Sequence, residues 1–139
     1  MTFGEEAGIP DGLVVELSRG KVLDGRSDEA DRWMQMLRDR RQECIATLDR
    51  ERMAIEIVFR LREDGNDYLY WLTVCGSEGS GLDLECPIDR DHLAAAKRTK
   101  QPGWVEAEPQ VVLLPPPVEE AVRQWALRPR KADRDSTPD

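Results

Sequence analysis

A chain of 139 residues, 40% apolar and 35% charged, is long enough to bury one proper core as a single domain without disulfide staples. Its formal net charge of −8 argues against a nucleic-acid backbone or an anionic membrane surface as partner, since both ask for a basic face. No stretch approaches the roughly 20 apolar residues that span a bilayer. The start, Met1-Thr2-Phe3-Gly4, lacks the basic and apolar runs of a secretion signal, and the odd, scattered cysteines Cys44, Cys75 and Cys86 predict free thiols, so the expected location is the cytoplasm.

Residues 1–11 mix Gly, Pro and acids and read as a flexible arm ahead of a single domain at 12–127. Leu13 to Arg19 predicts a first strand, with Leu13, Val15 and Leu17 on one face and Val14, Glu16 and Ser18 on the other. Ser27 or Asp28 is placed to cap a helix running to about Asp49. Ala30, Trp33, Met34, Leu37, Cys44, Ile45 and Leu48 form its apolar stripe, which is interrupted at Arg40 or Arg41. From Arg52 to Gly76 the pattern is a long hairpin turning at Glu63-Asp64-Gly65-Asn66. In its first strand Met53, Ile55, Ile57, Phe59 and Leu61 alternate with Ala54, Glu56, Val58 and Arg60. The second strand, from Tyr68, carries large groups on both faces and is expected to be central in a sheet.

Gly76 to Gly81 predicts a flexible loop. A second helix follows Pro87, capped by Asp89, running to about Lys100 and holding the chain's one histidine, His92. Residues 110–114 predict the last strand, ended by Pro115, Pro116 and Pro117. Val118 to Leu127 predicts a closing helix, and 128–139 a disordered tail containing Arg130, Lys131 and Arg134.

The order β-α-β-β-α-β with right-handed crossovers predicts an α+β, ferredoxin-like fold: a four-stranded antiparallel sheet, helices on one face, and an extra C-terminal helix. The odd-numbered apolar sets of the first two strands are expected to face the helices. The mixed face holding Glu16 and Glu56 is then left open, and two such faces packed together make a homodimer.

Two carboxylates on that face, with Tyr70 or Trp71 between them, suit acid/base work, because an acid beside an aromatic in a partly dry site has a raised pKa. The competing reading is that Glu16 pairs with Arg19 or Arg60, and Glu56 with Arg60 or a partner's arginine, along a dimer seam. His92 is either an exposed helix residue or a general base at a pocket mouth. Arg19, Trp33, Phe59, Tyr70 and Trp71 are the candidates to hold a small apolar ligand. One histidine and scattered cysteines make no metal motif, no phosphate loop is present, and no cofactor is expected.

Several of these segments resemble a known family. They are Val15-Glu16-Leu17-Ser18-Arg19, Trp33 with Leu37, Glu43-Cys44 with Thr47-Leu48, and Glu56 with Phe59-Arg60. Asp64-Gly65, Tyr68-Leu69-Tyr70-Trp71, Asp91-His92-Leu93 and Glu108-Pro109-Gln110-Val111-Val112-Leu113 complete the set. In order and spacing they are similar to the mostly bacterial domain-of-unknown-function family 6176, over roughly residues 13–126, and through it to the dimeric α/β-barrel superfamily. That resemblance implies a dimeric barrel. The superfamily includes cofactor-free monooxygenases, decarboxylases, cyclases, haem-degrading enzymes and plain ligand binders. The expected function is a homodimeric small-molecule protein: a cofactor-independent acid/base enzyme of cyclase, isomerase or monooxygenase type, acting on an apolar or aromatic substrate in specialised metabolism. A non-catalytic binding or structural homodimer is the alternative. The chain departs from the family pattern at Ala94-Ala95-Ala96 and in the small polar loop 76–86, both of which would open a cavity.

Overall fold

The computed structural model describes residues 6–128. The elements are β1 (Leu13–Lys21), α1 (Ser27–Asp39), α2 (Arg41–Glu51), β2 (Met53–Glu63), β3 (Asn66–Gly76), α3 (Pro87–Thr99), β4 (Val105–Ala107) and α4 (Pro116–Ala126). The strands form one antiparallel sheet in the order β2-β3-β1-β4. The fold is therefore α+β, and β1 and β2 flank β3 as two crossovers require. No helix among the described residues is long and apolar enough to cross a membrane. Residues 1–5 of the expected arm and 129–139 of the expected tail, with Arg130, Lys131 and Arg134, lie outside the described residues.

Three expectations are corrected. The long helix is two helices, because Arg40 leaves helical geometry (φ −107°, ψ 35°) and its guanidinium reaches Glu43 and, at 2.6 Å, Asp91 of α3. The stripe's flaw at Arg40 is thus a hinge tied to a second helix. Ser27 does not cap α1 but donates its hydroxyl to Asp67 at 2.9 Å. The last strand is Val105–Ala107, paired with Leu17–Arg19, and residues 110–114 stand outside the sheet. Prolines at 109 and 115 bracket that run, and the Val112 N–H bonds the carbonyl of Ala7 instead. Ala7 is buried, so the expected arm is packed at this point.

The fourth correction matters most. Register places Glu16 and Glu56 on either side of Thr73, and Ser18 and Val58 on either side of Trp71. Cross-strand partners share a face. Trp71 packs on Trp33 of α1, with ring centroids 5.2 Å apart, in a core that also takes Leu69, Ala30 and Ala95 of α3. The helices α1 and α3 therefore cover the face that carries the glutamates. The odd-numbered apolar set lies on the opposite side, except Met53, which a register shift before Ile55 leaves on the cleft side with Val14 and Cys75. There α4 covers one end, through Val122 and Ala126 against Leu13 and Val74. The rest is bare: Ile57, Phe59, Leu61 and Val105 are 41–58% exposed. Alternation identifies an apolar face, but it does not say what covers it.

The loop after β3 is held rather than loose. The Ser80 N–H and hydroxyl both bond the Arg50 carbonyl, and Ser77 N–H bonds that of Gly12. A Cβ on Gly79 would overlap the Glu51 carbonyl, and one on Gly76 the Ala126 carbonyl. Gly79→Ala is expected to cost about 1–3 kcal/mol, the usual penalty for forcing atoms into a packed site. Thermal denaturation reads it, and a melting temperature unchanged from wild type counts against the close approach.

Candidate functional site

The face under the helices is not fully packed. Two adjoining clefts open between the sheet and α1–α3, of about 530 Å³ on the α2 side and about 1070 Å³ on the β1 side. Glu51, Glu56, Trp71, Leu82 and His92 line both, so they form the wall or passage between them. Local sequence shapes the larger cleft. Ala96 on α3 is small and lines it, whereas Ala94 is exposed and Ala95 packs in the core, and Gly20 on β1 lets the Trp104 ring close in, where a Cβ would sit 3.0 Å from it. Trp104 meets Trp71 edge-on at 5.5 Å and accepts the Lys100 ammonium over its face at 4.2 Å. Lys100 is further held by the carbonyls of Gln101 and Gly103, and it acts as a staple for this wall.

Glu56 stands in the cleft wall without a cation. Arg60, the expected partner, is taken by Asp67, which accepts from Nε at 2.9 Å and from a terminal nitrogen at 2.6 Å, and by Asp31. That pairing holds the Asp67 carboxyl below its usual range, chiefly through the Arg60 hydrogen bonds. Among the described residues neither Glu16 nor Glu56 makes an ion pair. Partial burial in the cleft wall, and next the charge of Glu51, hold Glu56 above the ordinary carboxylate value, while the nearby Trp71 indole pulls the other way. Glu51 is raised too, by burial, with the nearby Thr47 hydroxyl, which donates to the Cys44 carbonyl, opposing it.

His92 is enclosed between aromatic rings, 5.4 Å from Trp33 and 5.7 Å from Trp71 by centroids. The Trp33 indole N–H donates to its Nδ1 at 3.0 Å. Burial lowers its pKa, opposed by the charge of Asp89. Asp89 itself is buried, accepting from the Arg50 guanidinium and from the Asp83 N–H at 2.8 Å. It pins the first turn of α3, and so His92, to the end of α2.

A pH signature follows from Glu56. Its folded pKa lies above the unfolded one, so the stability tied to its proton is complete below the ordinary glutamate value of about 4.3 and is lost as pH rises through the folded value. Glu56 itself is exposed at the cleft opening, so solvent screens much of the cost of its charge. Glu56→Gln is expected to melt at or slightly above wild type at pH 7, with any gap closing as pH falls below about 4. A Gln variant that melts lower at pH 7 overturns this.

Of the residues singled out in the sequence, Glu16, Glu56, His92 and Trp71 line the larger cleft, and Trp33 supports it from behind. Arg19, Phe59 and Tyr70 do not join them. They share the opposite face, where Arg19 and Phe59 both pair with Tyr70 and the Arg19 guanidinium lies 4.8 Å over Tyr68. Glu51 was missed, and one expectation is corrected: Asp89 does not cap α3, since Cys86 holds the cap position and Asp89, inside the first turn, is buried against Arg50. No cluster of three or more His, Cys, Asp or Glu suited to a metal occurs among the described residues. Cys44 and Cys75 are unpaired thiols that burial pushes up in pKa, away from reactivity.

The model of a family described as "Family of unknown function (DUF6176)" matches residues 13–120. No curated protein and no solved structure matches the chain.

Proposed function

The chain belongs to this family of unknown function, and from that premise we propose that it is a homodimeric small-molecule protein whose cleft performs acid/base chemistry on an apolar or aromatic compound. The observation that carries this reading is Glu56: an uncompensated carboxylate with raised proton affinity, opening into an aromatic-walled cleft that His92 shares. A carboxyl group with raised proton affinity at a cleft is a functional-site candidate. Glu16, across Thr73, is a second acid in the same cleft. Trp71 and Trp104 supply flat apolar walls for a ring, and the volume suits a drug-sized molecule.

The bare sheet face supports the dimer. One row runs Ile57, Leu72, Leu17 and Ala107, and the next Phe59, Tyr70, Arg19 and Val105, with the Arg19 guanidinium laid over Tyr68. A largely apolar exposed face of this kind suits an interface. It is a different face from the one expected to close the dimer, and it leaves the glutamates inside each protomer.

A thermal-shift screen of small aromatic and carbonyl compounds tests the site. Hits should stabilise wild type and bind Glu56→Gln and His92→Ala at least about tenfold more weakly, or 1.4 kcal/mol. Hits that bind both variants like wild type favour a plain binding protein with its site elsewhere, and no hits at all remove the reading.

A further inference from the structure

Resting on that reading, we propose that Trp33 is a positioning residue that locks His92 as a hydrogen-bond donor, and that the cleft takes a compound whose carbonyl oxygen His92 polarises while Glu56 removes the proton from the adjacent carbon. An indole N–H is a donor and never an acceptor. At 3.0 Å from Nδ1, Trp33 therefore requires an unprotonated Nδ1 with its lone pair turned toward it. In a neutral imidazole the proton is then on Nε2, and the ring offers the cleft a donor instead of a base. Adding a proton at Nδ1 would set two donors against each other. The enclosure of His92 by Trp33 and Trp71 disfavours the cation as well.

That removes His92 from the role of general base and gives the role to the carboxylates. Glu56 is the carboxylate the sheet sets beside it: Glu56 lies on the same face as Trp71, one cross-strand pair along, the Trp71 ring packs on His92, and all three line both clefts. A neutral imidazole donor beside a carboxylate is the pairing that enolises carbonyl compounds. The step balances without any further reagent. The α C–H bond breaks and its proton goes to the Glu56 oxygen. The electron pair forms the C=C bond, and the carbonyl oxygen becomes an enolate oxygen held by the His92 Nε2–H. Return of the proton to the same or another carbon regenerates Glu56. The groups facing His92 are Asp89 on its own helix, Trp33 from α1, Glu51 from α2, and Trp71 with Glu56 from the sheet.

One histidine in the chain makes the test clean. Two-bond proton–nitrogen spectra of 15N-labelled protein should show His92 neutral at pH 7 with its proton on Nε2, and becoming a cation only below the ordinary histidine range. In Trp33→Phe the same spectra should show a tautomer mixture and a titration moved toward pH 6.5. An Nδ1–H tautomer, or a cation forming near pH 6.5 in wild type, overturns the lock on the wild-type spectrum alone, whether or not the Phe variant folds. The carbonyl is tested with acetophenone against ethylbenzene, which share shape and differ in that group. Acetophenone should bind at least tenfold tighter, move the His92 resonances, and exchange its methyl protons with deuterated water at a rate that Glu56→Gln cuts by a hundredfold. Equal binding of the two probes sinks the carbonyl assignment while leaving the apolar site standing. Failure of both to bind sinks the assignment too, and the broader screen then decides the site separately.

Discussion

Asp89→Ala is expected to lower folding stability by about 2–4 kcal/mol, the largest loss of any substitution considered for this fold. Breaking a buried ion pair by removing one partner strands the other, at about 3–5 kcal/mol. The Asp89 side chain is 6% exposed, so its half of the pair is dry. Arg50 is 31% exposed and recovers some water, which brings the expected figure below the upper end of that range. The Asp83 N–H loses its acceptor as well. For a chain of this length the loss is a fall of roughly 5–15 °C in Tm. Asp89→Asn, which keeps an acceptor but no charge, should fall between wild type and Ala. In a double-mutant cycle with Arg50→Ala the combined loss should be smaller than the sum of the two. A loss under about 0.5 kcal/mol for Asp89→Ala, the range of an ordinary surface change, would refute the account.

Phe59→Asp is expected to turn a dimer into a monomer. Phe59 is 52% exposed midway along the edge strand β2 on the bare sheet face, with Tyr70 as its cross-strand partner and Ile57 and Leu61 beside it on the same strand. In a two-fold interface one substitution appears twice. A buried aromatic anchor replaced by a charge costs about 2 kcal/mol or more each time, so association weakens by roughly a thousandfold or more. Light scattering at micromolar concentration should give twice the chain mass for wild type and the chain mass for the variant, with the circular dichroism of both alike. A monomeric wild type removes the dimer, and a variant that stays dimeric moves the interface elsewhere.

Local signals carried the fold far. The strict alternation from Met53 to Leu61 and the turn at Asp64-Gly65 mark β2 and β3 directly. Element order then determines that β1 and β2 flank β3, because crossover handedness leaves few alternatives. The choice of face was not legible. In β3 both Trp71 and Tyr70 are large, so the central strand could not say which side the helices take, and the strongly apolar odd set of β2 pointed to the wrong one. The consequence fell on the site: Arg19, Phe59 and Tyr70 went to the surface, whereas Glu16, Glu56, Trp71 and His92 met in one cleft. Residues 110–114 show the same limit, since Val111 and Leu113 alternate like a strand yet are 69% and 84% exposed. What the sequence could not show at all is tertiary: the indole on Nδ1 of His92, and the Asp67 that takes Arg60 away from Glu56.

The wall of three indoles gives the cleft an optical readout of its own. Trp33, Trp71 and Trp104 stand in a chain of ring contacts at 5.2 and 5.5 Å, while the fourth tryptophan, Trp125, lies across the molecule on α4 and donates to the Met53 carbonyl. Most of the intrinsic emission therefore comes from one neighbourhood, close enough for the rings to pass excitation among themselves. A molecule seated on Trp71 changes the colour and intensity of that emission without any label, so occupancy, kinetics and competition at this site are open to a plain fluorimeter.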